Sequence, residues 1–205
     1  MNDTITTIKA RTSANNFDAS SVISHEDINE LVSLVQETPT SFNMQNYRLI
    51  AVTGADAKAR LKAVAYNQPK VGDAAVTFVV VGKLRGHEDL ARLIKPLLDA
   101  GAIDQAAFDG WVVMCTGMYA NNEQLQRDEA IRSASLAAMT LMYAAQAKGF
   151  VSGAMIGFDP AGVAKELGLS EQEIPVMLIA VGKPAAGNWP RKPRRAISEV
   201  LEIVA

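Results

Sequence analysis

Pro39-Thr40-Ser41-Phe42-Asn43-Met44-Gln45-Asn46-Tyr47 is the stretch on which the reading of this 205-residue chain turns. Small polar side chains crowd a place where a core should begin, between an amphipathic stretch and an apolar run, which points to something polar held there. Upstream, Ser24 is placed to cap a helix whose apolar positions Ile28, Leu31, Val32 and Val35 keep helical spacing; Asp27 completes a weak capping box and Pro39 marks the end. Downstream, Tyr47 to Thr53 is rich in strand formers, Gly54 stops it, and Ala55 to Ala65 reads as a short helix. Taken by itself the quoted stretch is also a capped turn, so both readings stand at this point.

Farther out, residues 76–81 and 174–181 are near-continuous apolar runs, the pattern of central strands covered on both faces. Glu88 to Ala100 and Asp104 to Met118 read as helices, and Asn121 to Lys148 holds a long helix closed by Gly149. From Ile131 to Ala147 few positions are strongly polar, which predicts burial nearly all round. The many alanines and serines there suit a central core helix and equally one that also packs on a second copy. No repeat, low-complexity tract or linker divides the chain, so residues 1–205 are expected to form one domain. The tail from Gly187 differs in kind: Trp189-Pro190-Arg191-Lys192-Pro193-Arg194-Arg195 is an extended basic arm, followed by apolar Ile197, Val200, Leu201 and Ile203. An arm ending in a sticky segment is suited to gripping another chain.

Apolar residues make up 49% of the chain and charged ones 20%, enough for a well-buried core. A formal net charge of −2 provides no global field for nucleic acid or an anionic membrane. Cys115 is the only cysteine, which excludes an intrachain disulfide framework and a cysteine-rich metal site and fits a reducing compartment, the cytoplasm by default. Met1 to Arg11 lacks the apolar centre of a secretory signal, and no run approaches the roughly 20 apolar residues of a membrane helix. The expectation is therefore no membrane, no nucleic acid and no metal. The short basic cluster 191–195, without aromatic interleaving, is a weak basis for a nucleic-acid module.

His25 and His87 fall at predicted helix starts among acidic residues and read as surface groups. No G-x-S-x-G elbow supports a hydrolytic triad. Cys115, in an apolar helix without a cationic neighbour in sequence, reads as a buried structural thiol. With no protein nucleophile or metal, a cofactor is the economical source of chemistry, and no catalytic side chain is assigned. Arg11, Lys192 and Arg194 are candidates for a phosphate, although each alone is an ordinary solvated charge. Two good phosphate contacts supply about 3 to 6 kcal/mol if additive, short of the roughly 8 kcal/mol of micromolar binding, so burial of a ring would have to supply the rest.

Read as PTSFNxQxY over residues 39–47, with Arg11-Thr12-Ser13 and Phe17-Asp18 upstream and Lys192-Pro193-Arg194 downstream, the sequence resembles the flavin-binding pattern of the nitroreductase family of FMN-dependent oxidoreductases, over nearly the whole chain. The resemblance implies an α+β fold with a central mixed sheet flanked by helices. It also implies a domain-swapped homodimer, with an arm of about residues 187–205 exchanged with the partner subunit and one FMN at each of two interface sites. It assigns Arg11 and Ser13, with Thr12 between them, to the phosphate and ribityl chain. Asn15 stands where a basic residue is common in the family. Lys192 and Arg194 match further phosphate contacts. Tyr66-Asn67 resembles an aromatic–Asn pair whose amide reads the pyrimidine edge, whereas without the resemblance Asn67 is equally a loop or cap residue. Met155, Ile156 and Gly157 fall in the segment whose backbone passes the flavin N5 edge, Gly157 having no side chain to obstruct it. Pro39, Thr40, Ser41 and Asn43 are implied to reach the flavin held mainly by the partner.

The implied activity is the transfer of hydride or electrons from NAD(P)H, either nicotinamide being open, to nitroaromatic or quinone acceptors by a ping-pong mechanism. A protein that only binds FMN, as a sensor or store, is the alternative. Phe42, Phe108, Trp111, Met114 and Met118 are candidates for the acceptor pocket, the last four lying where the family carries a substrate-shaping insertion. Core packing is the competing role for each.

Overall fold

The computed structural model describes residues 4–204; of the expected 1–205 domain, residues 1–3 and 205 lie outside the described residues. Two apolar runs buried on both sides organise it. Strands β1 (Tyr47–Val52), β2 (Val76–Lys83), β3 (Val151–Met155) and β4 (Glu173–Gly182) form one sheet in the order β1-β2-β4-β3. The two runs are the central strands β2 and β4, as their composition predicts. Along β2 the side chains alternate between faces: Val76, Phe78 and Val80 join one core cluster, and Val79 and Val81 the other.

Every pairing of these strands is antiparallel, so the expected mixed sheet is not what one chain forms. Residues 53–75 and 156–172 each leave and re-enter the sheet at the same end, which reverses the strand direction. Continuous apolarity here reports helices on both faces rather than parallel pairing. Among the described residues, the one isolated parallel bridge joins Ser13 to Ser152.

Helix α2 (His25–Val35) and the long α7 (Glu123–Ala147) cover the first face, with Leu31, Val35, Ala134, Ala138 and Leu141 in its core. The Ser24–Asp27 capping box is present, with the Ser24 hydroxyl accepting from Asp27 N at 3.0 Å. α7 lies directly on β2: a Cβ at Gly82 would stand 2.8 Å from the Ala130 carbonyl oxygen. Burial of α7 is less complete than expected, because sheet and α2 cover one side of it only. Leu136 remains 44% exposed, and Met139, Thr140 and Tyr143 are half-buried along the same stripe. On the second face lie α3 (Ala55–Ala63), α4 (Pro69–Asp73) and α8 (Pro160–Glu166), packing Leu61, Val71 and Val163 onto Leu178 and Ala180.

Helix α1 (Thr4–Ala10) precedes Arg11. Beyond the end of the sheet, α5 (Leu90–Asp99) and α6 (Gln105–Tyr119) enclose a satellite cluster of Met44, Leu90, Ile94, Cys115 and Tyr119. Cys115 is fully buried there and burial pushes its thiol up to about 11, in keeping with a structural role. His87, expected at the surface, is instead buried beside the Tyr119 ring: the short 3-10 turn at Gly86–Asp89 packs against α6 and turns the imidazole inward while Glu88 faces water. Burial also lowers the His87 pKa, favouring the neutral ring. No described helix is long and apolar enough to cross a membrane, and the described residues contain no cluster of three metal-ligating side chains.

Ser13 and Ala14 lie on the free edge of β3, and the chain then turns so that Phe17 pairs with Pro184 beyond the end of β4. Ala14 N donates to Ser152 O at 2.9 Å, and a Cβ at Gly153 would sit 2.3 Å from the Ala14 carbonyl oxygen. Gly153→Ala should therefore force the two backbones apart and lower stability by about 1 to 3 kcal/mol, read as a lower denaturant midpoint at unchanged m-value. Across the other end of the sheet, Arg48 of β1 pairs with Glu173 of β4. That guanidinium, helped by the Ser170 backbone and hydroxyl, holds the Glu173 carboxyl down at about 2 from 4.5. A depressed carboxylate stabilises above its unfolded pKa, so the stability gap between the native chain and Glu173→Gln should be full above pH 4.5 and close as pH falls towards 2. It should amount to about 1 kcal/mol after screening at the half-exposed Arg48.

Candidate functional site

The segment that follows α1 and the basic arm, at opposite ends of the chain, meet on the β3 edge of the sheet. Between them is a cavity of about 310 Å³ lined by Arg11, Thr12, Ser13, Asn15, Lys70, Ala154, Trp189, Pro190, Arg191, Lys192 and Arg194. Six residues singled out in the sequence, Arg11, Thr12, Ser13, Asn15, Lys192 and Arg194, are thus brought together. Five of the lining residues are basic and none is acidic. Among the described residues, none of the five takes part in an ion pair. Cations gathered without counter-charges, beside the hydroxyls of Thr12 and Ser13, are a donor set for a phosphate or similar anion.

Lys70 was not identified from the sequence. Its ammonium lies 3.4 Å from the Asn15 amide oxygen and is half-buried, which lowers its pKa by desolvation. It supplies positive charge next to the position where Asn15 replaces one. Its signal was legible in principle: Pro69 opens α4, so Lys70 falls three residues after Asn67 on the same local turn. Trp189 and Arg191 also line the cavity, having been read only as members of the arm. The Lys192 ammonium stands 5.3 Å from the centre of the Trp189 ring.

A second group borders the cavity through Lys70 and Ala154. The Tyr66-Asn67 loop packs on the 155–157 segment, where Gln68 Nε2 donates to Gly157 O at 2.5 Å and Asp159 N to Val64 O at 2.8 Å. A Cβ at Gly157 would already touch Gln68 and Tyr66. Tyr66 and Asn67 both adopt left-handed backbone, at φ 51° and 56°. Tyr66 and Ile156 are exposed, Ile156 by 77%, whereas the Met155 side chain is in the core, so only its backbone faces this loop.

The 39–47 stretch lies apart from the cavity within one chain. Ser41–Asn43 forms a 3-10 turn in which Phe42 and Asn43 are left-handed, at φ 51° and 57°, with Gln45 at 46°. Left-handed backbone at a bulky residue is strained by roughly 1 to 2 kcal/mol and persists only where surroundings impose it. Here they do. Thr40 Oγ1 accepts from Gln45 N at 2.9 Å, Ser41 Oγ lies 3.1 Å from the Tyr119 hydroxyl, and that hydroxyl donates to the buried Glu129 at 3.3 Å. Phe42 meets Tyr119 edge-on at 6.4 Å. Pro39 and Asn43 are exposed. Phe42 and Phe108 pack against the satellite cluster, as a core role would have it. Trp111, Met114 and Met118, at helical spacing on α6, form an exposed apolar stripe instead.

The two strained turns and the cation cavity coincide with the motifs that carried the sequence resemblance. In agreement, the sequence profile described as the Nitroreductase family matches residues 8–183. A Bacillus subtilis protein named "Putative NAD(P)H nitroreductase MhqN" is 35% identical over 199 residues, covering 96% of this chain and 97% of its own. The crystal structure of the B. subtilis protein ydfN superposes with a TM-score of 0.93 at 34% identity, over 97% of both chains. A protein from Exiguobacterium sibiricum, crystallised in complex with FMN, superposes at 0.92 with 26% identity, over 100% of this chain and 98% of its own. Sequence profile, relatives and fold agree that the chain belongs to the nitroreductase family.

Proposed function

We propose that the protein is an FMN-dependent oxidoreductase that passes hydride or electrons from NAD(P)H to nitroaromatic or quinone acceptors by a ping-pong mechanism. The observation that carries this reading is the cavity with five basic residues and no acid, bordered by a strained aromatic–Asn turn. Its donor set fits the phosphate of FMN, and a relative of the same fold is known in complex with FMN. Bound there, the flavin would supply the redox centre, accepting a hydride from the nicotinamide and delivering electrons to the acceptor.

The chain's own part is binding, orientation and electrostatics. Arg11, Lys192 and Arg194 would hold the phosphate dianion, Thr12, Ser13 and Asn15 would bond the phosphate and ribityl chain, and Lys70 would add a partly desolvated positive charge. The Asn67 amide would read the pyrimidine edge. Backbone N–H groups around Ile156 and Gly157 would face the reactive edge of the ring. Trp111, Met114, Met118 and Phe42 would offer apolar contacts to flat acceptors, while Phe108 would brace that wall from within.

A homodimer completes the proposal. Pro39, Thr40, Ser41 and Asn43, remote from the cavity of their own chain, would serve the partner's flavin, and the arm of about residues 187–205, held at its start against its own chain, would extend its apolar end across to the partner. Support comes from exposed apolar surface that one chain leaves uncovered: Ile197, Val200, Leu201 and Ile203 on the arm, Leu136 on α7 and Leu34 on α2.

The test is the visible spectrum of protein reconstituted with FMN and gel-filtered, followed anaerobically on adding NADH or NADPH. A retained flavin band that bleaches and then recovers with a quinone or nitroaromatic is expected; retention without bleaching would favour the sensor or storage alternative, and no retention would overturn the assignment. Arg194→Ala should weaken FMN about tenfold and riboflavin less than about twofold, because only FMN carries the phosphate. Trp111→Ala should change the ratio of kcat/KM between a bulky quinone and a small nitroaromatic by about tenfold at unchanged flavin affinity.

A further inference from the structure

We infer that Asn188 and Arg191 are positioning residues: together they clamp the start of the basic arm to the N-terminal segment and so fix Lys192 and Arg194 across the cavity from Arg11. The inference rests on the reading above only for the identity of the anion. From Gly187 to Arg195 the arm has no regular secondary structure. Pro190 and Pro193 lack N–H groups, and the Arg194 guanidinium donates only to carbonyls of the arm itself, those of Lys192 and Pro193. Among the described residues, every hydrogen bond from residues 188–195 back to the N-terminal segment comes from the side chain of Asn188 or Arg191.

Asn188 uses both ends of its amide. Its Oδ1 accepts from Asn15 N at 2.8 Å and Asn16 N at 3.0 Å, while Nδ2 donates to Asn16 O at 2.8 Å and Ala185 O at 3.1 Å. It therefore acts as a strand-like partner for a backbone 172 residues away. Arg191 Nη2 donates to the carbonyls of Lys9 at 2.6 Å, Arg11 at 2.7 Å and Ile8 at 3.4 Å. Ile8 and Lys9 lie in the last turn of α1, whose final carbonyls have no partner within the helix and carry partial negative charge, and Arg11 directly follows it. All three contacts are made by Nη2, whose two N–H groups serve Lys9 and Arg11 with Ile8 sharing one of them at the longer distance, so the long stem holds a single charged donor among these carbonyls. Arg191 lines the cavity, yet its charge is committed to the protein rather than to a ligand.

The clamp makes a prediction that an anion-ligand role for Arg191 does not. Arg191→Met keeps much of the apolar stem and loses the donors, whereas Asn188→Ala removes the amide without altering any charge. Two readouts are compared in each variant. One is the ratio of FMN to riboflavin affinity. The other, in flavin-free protein, is the rate of trypsin cleavage after Arg194, which follows the fraction of arm that is detached. Both variants should weaken FMN about tenfold, reduce the FMN-to-riboflavin preference about fivefold and speed cleavage about fivefold. Wild-type cleavage of flavin-free Arg191→Met would overturn the clamp, as would an Asn188→Ala protein with unchanged cleavage and preference. If the native protein itself showed no preference for FMN, the flavin-phosphate assignment would fall, and the cleavage rates would still decide the clamp.

Discussion

Close backbone contact along the free edge of β3 is the constraint on which the cavity depends. Because Gly153 has no side chain, the Ala14 carbonyl can approach it within van der Waals range, and the Ala14 amide can pair with Ser152. That leaves Ser13 and Asn15 lining the cavity while Ala14 between them, and Phe17 after the chain turns toward Pro184, bury themselves in the second core cluster. The core thus grips the segment from below and leaves its polar residues facing outward. Asn188 then attaches to the same segment from above. Each layer holds the next, and the basic side chains at the top are placed by contacts that contain no charge pair.

A different solution holds the 39–47 stretch. Its strained residues are fixed by neighbours in the satellite cluster, where Tyr119 is only 2% exposed and links Ser41 to Glu129. A buried hydroxyl with two polar partners avoids the desolvation penalty that an unpaired one would carry. The Glu129 carboxylate is in turn satisfied by Arg132 and the Ser133 hydroxyl. The strain in the turn is therefore borne by a small hydrogen-bonded network, and the exposed groups Pro39 and Asn43 are presented rigidly.

The sequence was most readable where a signal is local. Residues 76–81 and 174–181 announced the central strands, and Ser24 with Asp27 announced the start of α2, because burial and capping act over a few residues. Strand direction was less readable: an apolar run records that both faces are covered and says nothing of the neighbour's polarity, and the mixed sheet that the family resemblance implied is antiparallel within one chain. His87 was misjudged for a similar reason, its acidic neighbours indicating water while the 3-10 turn directs its own side chain inward. Charge made Arg11, Lys192 and Arg194 candidates for one phosphate, but the family resemblance was needed to bring them together, since no periodicity relates positions so far apart. Lys70 shows the limit of that route, being revealed by three-dimensional proximity to Asn15.

The cavity draws most of its walls from the segments 11–15 and 189–194, with Lys70, Ala154 and the sheet made in between. Closing so long a loop is entropically unfavourable until β2, β3 and β4 have paired and given both walls a surface to settle on. During folding, anion binding is therefore a late event: the chain must build nearly all its core before it can hold a phosphate at all. A ligand captured there can act as a lock on finished molecules, stabilising them by mass action, but it cannot serve as the nucleus around which folding starts.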